Sequence, residues 1–344
     1  MPAGKKFLSS VPSGAYLQAR LFILLILYNH SMKLIVMIPA YNEEKTIQKV
    51  IKEIPRKIEG VDKVEVLVIN DGSTDSTVKV SLEAGADHIV SQKENRGLAL
   101  TFRKGLEACL ERGADIIVNT DADFQYNQNQ IPDLIAPILQ GKADIVLGSR
   151  FRGHIEYMPP QKKIGNILAT RVTRMASGYP VTDAQTGFRA FTRDAALRMN
   201  ILADYTYVQE TIMQAVNHNL TLVEIPIEFR KRDGHSRLMS GVFHYAQRAT
   251  AVILRTYRDY EPMKVFASIG FVFLVVAALS GVTVLVQFIK TGVVVPNISY
   301  AILTTMLCLT GLQILVFGLI ADMLKYQRIR EEEILYRLKK IEME

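Results

Sequence analysis

The chain has 344 residues, enough for one large or two ordinary domains, and 49% of them are hydrophobic. Its net charge is +7, but the basic excess flanks two C-terminal apolar runs and forms no long stripe interleaved with aromatics, which favours an anionic membrane surface and excludes nucleic acid as the expected partner. The two cysteines, Cys109 and Cys308, fall in a predicted helix and in an apolar run, which excludes a disulfide scaffold, and no Cys/His spacing suggests zinc.

Taken in order, the chain opens with Lys5, Lys6 and Arg20 ahead of an apolar stretch, Leu21 to Tyr28. That stretch is too short to cross a bilayer and is followed by no small-residue cleavage site. The expectation is that Met32 is the natural start and that residues 1–31 are an extension or a weak membrane-surface segment. From Met32 to about Arg230, strands and helices alternate. Strands are predicted at Leu34–Ile38, Glu65–Ile69, Ile116–Thr120, Ile145–Leu147 and Thr221–Ile225. Helices are predicted at Glu44–Ile54, Ser76–Glu83, Leu98–Arg112, Asn129–Gln140, Lys162–Ala176 and Val208–Asn217. This rhythm implies an α/β domain, a mostly parallel sheet with helices on both faces that binds ligand at the carboxyl ends of its strands. Polar clusters stand at those ends: PAYNEE, NDGSTD, DADFQ and GSR.

The central cluster closes the stretch Ile116 to Gln125, IIVNTDADFQ. Asp121 and Asp123 are two apart, so on a continuing strand they face one side. Adjacent carboxylates repel unless a cation sits between or beside them. Oxygen donors alone point to a hard metal, Mg²⁺ or Mn²⁺, which usually also binds substrate phosphate. The plain alternative is a solvated turn after a strand.

Beyond Gly241 the chemistry changes. Gly241 to Glu261 mixes aromatic and aliphatic residues with Arg248, Arg255 and Arg258, as an amphipathic helix on a membrane surface does. Val265 to Ile289 runs 25 residues without a charge, and Ile298 to Ala321 runs 24. Each is long enough to span about 30 Å of hydrocarbon. Arg255, Arg258 and Lys264 precede the pair, Lys325, Arg328 and Arg330 follow it, and the short loop carries only Lys290. The positive-inside rule therefore puts both termini and the catalytic domain in the cytoplasm of a two-helix protein of the cell membrane. The expected divisions are an extension (1–31), a catalytic domain (32–240), an amphipathic juxtamembrane helix (241–264), two transmembrane helices (265–324) and a charged tail helix (325–344), solvated or in contact with another copy in a homo-oligomer.

No GxGxxG fingerprint is present, which counts against a dinucleotide-binding domain. The segments IPAYNEE (Ile38–Glu44), VINDGSTD (Val68–Asp75), ENRGLALTFRKG (Glu94–Gly105), DADFQ (Asp121–Gln125), GSRF (Gly148–Phe151), DAQTGFRAF (Asp183–Phe191) and RDGHSR (Arg232–Arg237) stand in an order that resembles family 2 glycosyltransferases of the GT-A fold. Within them the chain looks like the polyprenyl-phosphate sugar transferases, the dolichyl-phosphate mannose and glucose synthase group. The resemblance covers Met32 to near Arg237. Leu98 and Ala99 depart from the glycine and alanine common in that motif.

The resemblance implies a GT-A, Rossmann-like domain joined to a transmembrane hairpin. It implies metal-dependent, inverting transfer of a sugar from GDP-mannose or a UDP-hexose to polyprenyl or dolichyl phosphate at the cytoplasmic membrane face. Donor-binding positions carried over are Pro39, Tyr41, Glu43, Asp71, Asp121, Ala122, Asp123, Gln125, Arg150, Asp183, Arg232 and Ser236. Asp121, Asp123 and Gln125 are the implied metal ligands, and Asp123, Arg150 and Arg232 the implied catalytic residues. By their own chemistry, Tyr41 suits packing on a nucleobase and Arg150 suits a phosphate, which guanidinium binds bidentately; its alternative is a salt bridge. Asp75 suits a structural cap, and Arg189 either a phosphate or a carboxylate. Asp183 and Glu210 become base candidates if the acceptor is a hydroxyl. Two other readings are a membrane-bound polysaccharide synthase and a non-catalytic membrane protein that binds nucleotide sugar. The absence of tryptophan removes the Q-x-x-R-W motif usual in such synthases. The retained DAD, GSR and RDGHS motifs argue against the second.

Overall fold

The computed structural model describes residues 31–201, 207–231 and 262–343. Arg232, Ser236, the N-terminal extension up to residue 30 and the juxtamembrane stretch 241–261 lie outside them. Seven strands form one sheet: β1 (Lys33–Ala40), β2 (Lys63–Asn70), β3 (His88–Ser91), β4 (Ile116–Asn119), β5 (Ile145–Ile155), β6 (Arg189–Thr192) and β7 (Leu222–Phe229), in the order β3-β2-β1-β4-β6-β5-β7. Pairing is parallel except for β6, which runs antiparallel between β4 and β5. The helices of this region are α1 (Ile47–Glu53), α2 (Thr77–Glu83), α3 (Leu98–Glu111), α4 (Ile131–Leu139), α5 (Pro160–Ser177), α6 (Arg193–Arg198) and α7 (Val208–Asn217).

The central strands are apolar on both faces because helices cover both. Ile35, Met37, Leu67, Ile69 and Ile117 pack with Phe102 and Leu106 of α3 and Ile212 of α7. The alternate residues Leu34, Val36, Ile38, Val66, Val68 and Val118 pack with Ile47 and Val50 of α1 and Leu134 and Ile135 of α4. Each large apolar side chain buried this way stabilises the fold by about 1.5–3 kcal/mol.

Three strands of this domain differ from the sequence reading, and the short helix α6 was not among the predicted helices. β3 is a short, half-exposed edge strand with weak alternation. β6 reads RAFT and opens on an arginine, so its strand character was hidden within the DAQTGFR motif. β5 continues through GSRFRG to Ile155, where those residues had suggested a strand end.

Two further helices, α8 (Pro262–Thr291) and α9 (Ile298–Met343), are long and apolar enough to cross a membrane. They pack along each other, and a side chain at Gly270 would come within 3.0 Å of the Gly311 carbonyl, so small residues set the close approach. The tail departs from expectation. No glycine or proline interrupts Ala321 to Met343, and α9 runs through it as one helix. One face of it packs on its own catalytic domain, while Ile334, Leu338 and Ile341 on the rest of the tail are exposed. Tyr336 joins the core, its hydroxyl donates to Asp194, and the Arg198 guanidinium lies 3.9 Å from its ring centre. Arg193 and Lys339 donate to the carbonyls of Met343 and Met199 at 2.9 and 3.1 Å.

Candidate active site

The loops leaving β1 and β2 are laced together. Asn42, at φ 53°, donates its backbone N–H to Ser73 Oγ (2.9 Å), and its side-chain oxygen accepts from the Thr74 N–H (2.8 Å). The Glu43 N–H donates to Thr77 Oγ1, and the Glu44 carboxylate accepts from the Ser76 N–H. Asp75 accepts from the N–H groups of Thr77 and Glu44. Burial raises its carboxyl, but the Thr77 hydroxyl, which also donates to it, and then those N–H groups outweigh burial and hold it below the ordinary range. Pro39 is buried beside Ile69 in the sheet, whereas Tyr41 is 39% exposed at the rim. Glu43 keeps its carboxylate close to home, accepting from Thr46 Oγ1 at 3.0 Å.

Asp71 is buried, and both its oxygens are engaged. One accepts from Gln92 Nε2 (3.0 Å) and the Arg96 N–H (2.8 Å), the other from the Gly97 N–H (3.0 Å). The carboxylate thereby folds the 92–97 loop over the end of β2 and sets the start of α3. Any contact it makes to a nucleobase is shared with these three donors. Gly72 permits the arrangement: its φ is +71°, and a Cβ there would lie 2.5 Å from the Glu94 carbonyl carbon.

At the end of β4, Asp121 and Asp123 are half-buried and Ala122 is buried between them. The Gln125 N–H donates to Asp123 Oδ1 at 3.1 Å. Gln125 is buried, and its Nε2 donates to the Arg230 carbonyl at 3.2 Å, so its Oε1 is the atom suited to a cation. Between them Phe124 sits at φ 62°, an outlier for a bulky residue. The guanidinium of Arg230 (4.8 Å) and the Lys49 ammonium (5.8 Å) lie over its ring. Gly187 passes against Asp121, where a Cβ would stand 2.7 Å from Oδ1. Beneath, the buried Tyr126 hydroxyl accepts from the Gly187 N–H at 2.9 Å. Burial, then the Asp121 charge, push the Tyr126 and Tyr207 hydroxyls well up, so both stay protonated.

Arg150 does not stand open. It is 3% exposed, and it meets Asp183 through Nε (2.7 Å), Nη2 (2.8 Å) and its own backbone N–H (3.0 Å). Burial opposes its charge, but Asp183 outweighs burial and raises its pKa. Nη1 is the nitrogen available to an anion. Asp183 is fixed in turn, because Glu224 of β7 accepts from the N–H groups of Thr182 (2.8 Å) and Asp183 (3.1 Å). Arg189 meets neither a phosphate nor a carboxylate. It is fully buried and donates to the carbonyls of Thr186, Ala184 and Val208. Glu210 is buried, and its carboxylate accepts from Gln214 and from Arg328 of α9.

Comparison with known proteins decides what this site belongs to. The family described as Glycosyl transferase family 2 matches residues 35–198. A UDP-N-acetylglucosamine–dolichyl-phosphate N-acetylglucosaminyltransferase of Methanococcus voltae is 31% identical over 56% of this chain and 83% of its own length. The chain belongs to glycosyl transferase family 2. A low-salt glycan biosynthesis hexosyltransferase, Agl6, of Haloferax volcanii is 31% identical over 82% of this glycosyltransferase and 67% of its own length. Among solved structures, a glucosyl-3-phosphoglycerate synthase from Mycobacterium tuberculosis, in complex with Mn²⁺, uridine diphosphate and phosphoglyceric acid, superposes with a TM-score of 0.52. It is 21% identical and covers 66% of this chain and 78% of that one, a likeness of fold. The GT-A fold read from the motifs is thus the fold observed.

In this glycosyltransferase the strand ends gather Tyr41, Glu43, Asp71, Asp121, Asp123 and Gln125 at one edge of the sheet, and Arg150 and Asp183 enter from β5 and the loop before β6. Asp121, Asp123 and Gln125 make an all-oxygen donor set of the kind hard divalent cations take. Among the described residues no three His, Cys, Asp or Glu side chains are grouped to hold a metal; the set offers two carboxylates and one amide oxygen. Thr120 Oγ1 and Asn119 Oδ1, just before this set, and Gln185 Nε2 are buried without a hydrogen-bond partner. By their donor chemistry, two carboxylates and an amide oxygen, Asp121, Asp123 and Gln125 fit a hard cation. Sequence reading missed Gln92, Thr182 and Glu224. Only Glu224 left a signal, an acidic residue inside the strand LVEIPIEF.

Proposed function

We propose that this glycosyltransferase moves one hexose from a nucleoside-diphosphate sugar, GDP-mannose or a UDP-hexose, to a polyprenyl phosphate such as dolichyl phosphate, at the cytoplasmic face of a membrane. The observation that carries the proposal is the two-carboxylate and amide set at the end of β4, beside the buried Arg150, in a chain that also carries two membrane-length helices. Relatives named for transfer to dolichyl phosphate, and a polyprenol monophosphomannose synthase of Mycolicibacterium smegmatis at 27% identity, support the acceptor class.

The acceptor decides what the protein must do. A phosphate monoester has its second pKa near about 6 and is largely ionised at neutral pH. Its oxygen attacks the anomeric carbon from the face opposite the nucleotide. The new C–O bond forms as the bond to the diphosphate oxygen breaks, inverting the centre, and no general base is needed. Positioning and charge neutralisation remain. Asp121, Asp123 and Gln125 would hold Mg²⁺ or Mn²⁺, which when bound would supply Lewis-acid neutralisation of the departing diphosphate. Tyr41 stacks on the base, and Asp71 with the 92–97 loop fixes the nucleotide end. Arg150, clamped by Asp183, presents Nη1 and a fixed positive charge to a phosphate. Arg232 and Ser236, outside the described residues, are assigned to the phosphates by the motif alone.

Membranes carrying the protein, given labelled nucleotide sugar and polyprenyl phosphate, are expected to form labelled lipid. EDTA should abolish the product, and Mg²⁺ or Mn²⁺ should restore it. Product formation unaffected by EDTA would remove the metal, and no labelled lipid from any of GDP-mannose, UDP-glucose or UDP-N-acetylglucosamine would remove the proposed reaction.

A further inference from the structure

The turn that carries Asp123 and Gln125 is not held by β4 alone. Past it the chain runs antiparallel to the end of β7, and successive pairs close the seam. Asn127 Nδ2 donates to the Glu228 carboxylate at 2.6 Å. Tyr126 bridges to Phe229, and their rings meet edge to face at 5.5 Å. The Arg230 N–H donates to the Gln125 carbonyl at 2.7 Å, and Gln125 Nε2 donates back to the Arg230 carbonyl at 3.2 Å. Arg230 therefore holds both the backbone and the side chain of Gln125. With its nitrogen committed there, the amide keeps its oxygen for another partner.

The Arg230 side chain turns back across the same turn. Its guanidinium lies 4.8 Å from the Phe124 ring centre and ends on Glu53, the last residue of α1. Nη1 donates to Oε2 at 3.0 Å and Nη2 to Oε1 at 2.9 Å. Two parallel bonds fix the plane of a guanidinium as one bond does not. Glu53 is held in its turn, accepting from the Gln128 N–H at 3.1 Å and Asn129 Nδ2 at 3.4 Å. The two side chains are 20% and 18% exposed, so the pair is largely shielded from competing water. Arg230 stands two residues before Arg232, yet its fork is spent on a carboxylate and not on a phosphate. Phe124 is where this clamp acts. A bulky residue at φ 62° keeps that conformation only where its surroundings impose it. The left-handed step at Phe124 lets the Gln125 N–H reach Asp123 Oδ1 at 3.1 Å.

We infer that Arg230 and Glu53, which no motif singles out, are positioning residues for the cation site. Their fork holds Phe124 in its left-handed step and keeps the Arg230 carbonyl against the Gln125 amide, so that Asp123 and Gln125 present their oxygens already set for a divalent ion. The inference rests on the metal reading given above, and neither Arg230 nor Glu53 is itself a ligand. Partners of this kind, which hold a ligand in its orientation, typically change metal affinity by about 10–100-fold when removed.

The test is Mn²⁺ binding by the full chain in detergent, read from the loss of the free-ion electron paramagnetic resonance signal. It is run with UDP and, separately, with GDP, and a nucleotide-only blank is subtracted. Arg230→Met, Glu53→Gln, the two together, and Asp123→Ala are compared with the parent. Each single clamp variant is expected to weaken Mn²⁺ binding about tenfold or more. The double variant is expected to bind no more weakly than the worse single one, because the two residues act as one unit. An ion pair that only stabilised the fold would move the thermal midpoint and leave the affinity of the folded protein unchanged. Should Arg230→Met not fold, Arg230→Lys, which keeps the charge and loses the fork, takes its place with the same expectation. If Asp123→Ala weakens Mn²⁺ binding while either clamp position falls short of that loss, or if the losses of the two singles add in the double variant, the clamp is overturned and the metal set stands. Mn²⁺ bound as tightly by Asp123→Ala as by the parent removes the metal reading beneath it.

Discussion

Asp183 carries two duties, because it neutralises a buried guanidinium and fixes the direction of the one nitrogen left over. Asp183→Ala would strand Arg150 as an uncompensated buried cation, at a cost of about 3–5 kcal/mol. Chemical denaturation of the detergent-solubilised protein measures it, and a loss below about 1 kcal/mol would contradict the pairing. Asp123 plays a different part, since it is half-buried at the end of β4 and accepts from the neighbouring Gln125 N–H. Asp123→Ala is expected to lower kcat by about 100-fold or more while the unfolding midpoint stays close to that of the parent. Glu65, far from the site on β2, reports on pH. Burial raises its carboxyl, but Lys33, Lys63 and His88 outweigh burial and hold it at about 2 against an ordinary 4.5. A carboxyl depressed on folding stabilises above its unfolded pKa, and that contribution is lost as pH falls from about 4.5 to about 2. Thermal unfolding of Glu65→Gln should therefore fall below the parent at pH 7 and converge with it near the acid end of that window.

At the scale of elements, the 92–97 loop depends on one turn. Gly72→Ala adds a Cβ to a residue at φ +71°, 2.5 Å from backbone of the loop itself. The left-handed conformation alone costs about 1–2 kcal/mol for a non-glycine residue, and the clash displaces the loop. The expected signature is a raised KM for the nucleotide sugar with a smaller change in kcat; an unchanged KM would separate the loop from donor binding. The tail of α9 is the other dependent element. Tyr336 is in the core and donates to Asp194. Tyr336→Ala removes both contacts and should destabilise the catalytic domain by about 2 kcal/mol or more, read by thermal unfolding in detergent. A tail that were only solvated would leave the midpoint unmoved.

Across the whole molecule, α9 is at once a membrane-length helix and a wall of the catalytic domain. Burial raises the Glu332 carboxyl, but His218 and Arg328 outweigh burial and hold it below the usual range, and Arg328 also reaches Glu210 on α7. The domain is therefore fastened to its anchor by side chains as well as by the chain between β7 and α8. That fastening fixes the height of the strand-end site relative to the apolar run.

The sequence by itself determined the alternation of strands and helices, the polar strand ends, the family and the two apolar helices. Those signals are local: periodicity, turn residues and ordered motifs are carried by neighbours in the chain. It failed where a partner distant in sequence decides the outcome. Arg150 reads as an open side chain, and the sequence does not show that Asp183, 33 residues away, clamps two of its nitrogens and buries it. Arg189 reads as a ligand contact until three carbonyls enclose it. β6 is a strand because β4 and β5 flank it on either side, and its four residues carry too little pattern to announce it. The tail reads as solvated because its sequence is charged. Tertiary structure alone gave it a surface, since an ion pair or a buried tyrosine stabilises a helix only when the opposing side chains are already in place.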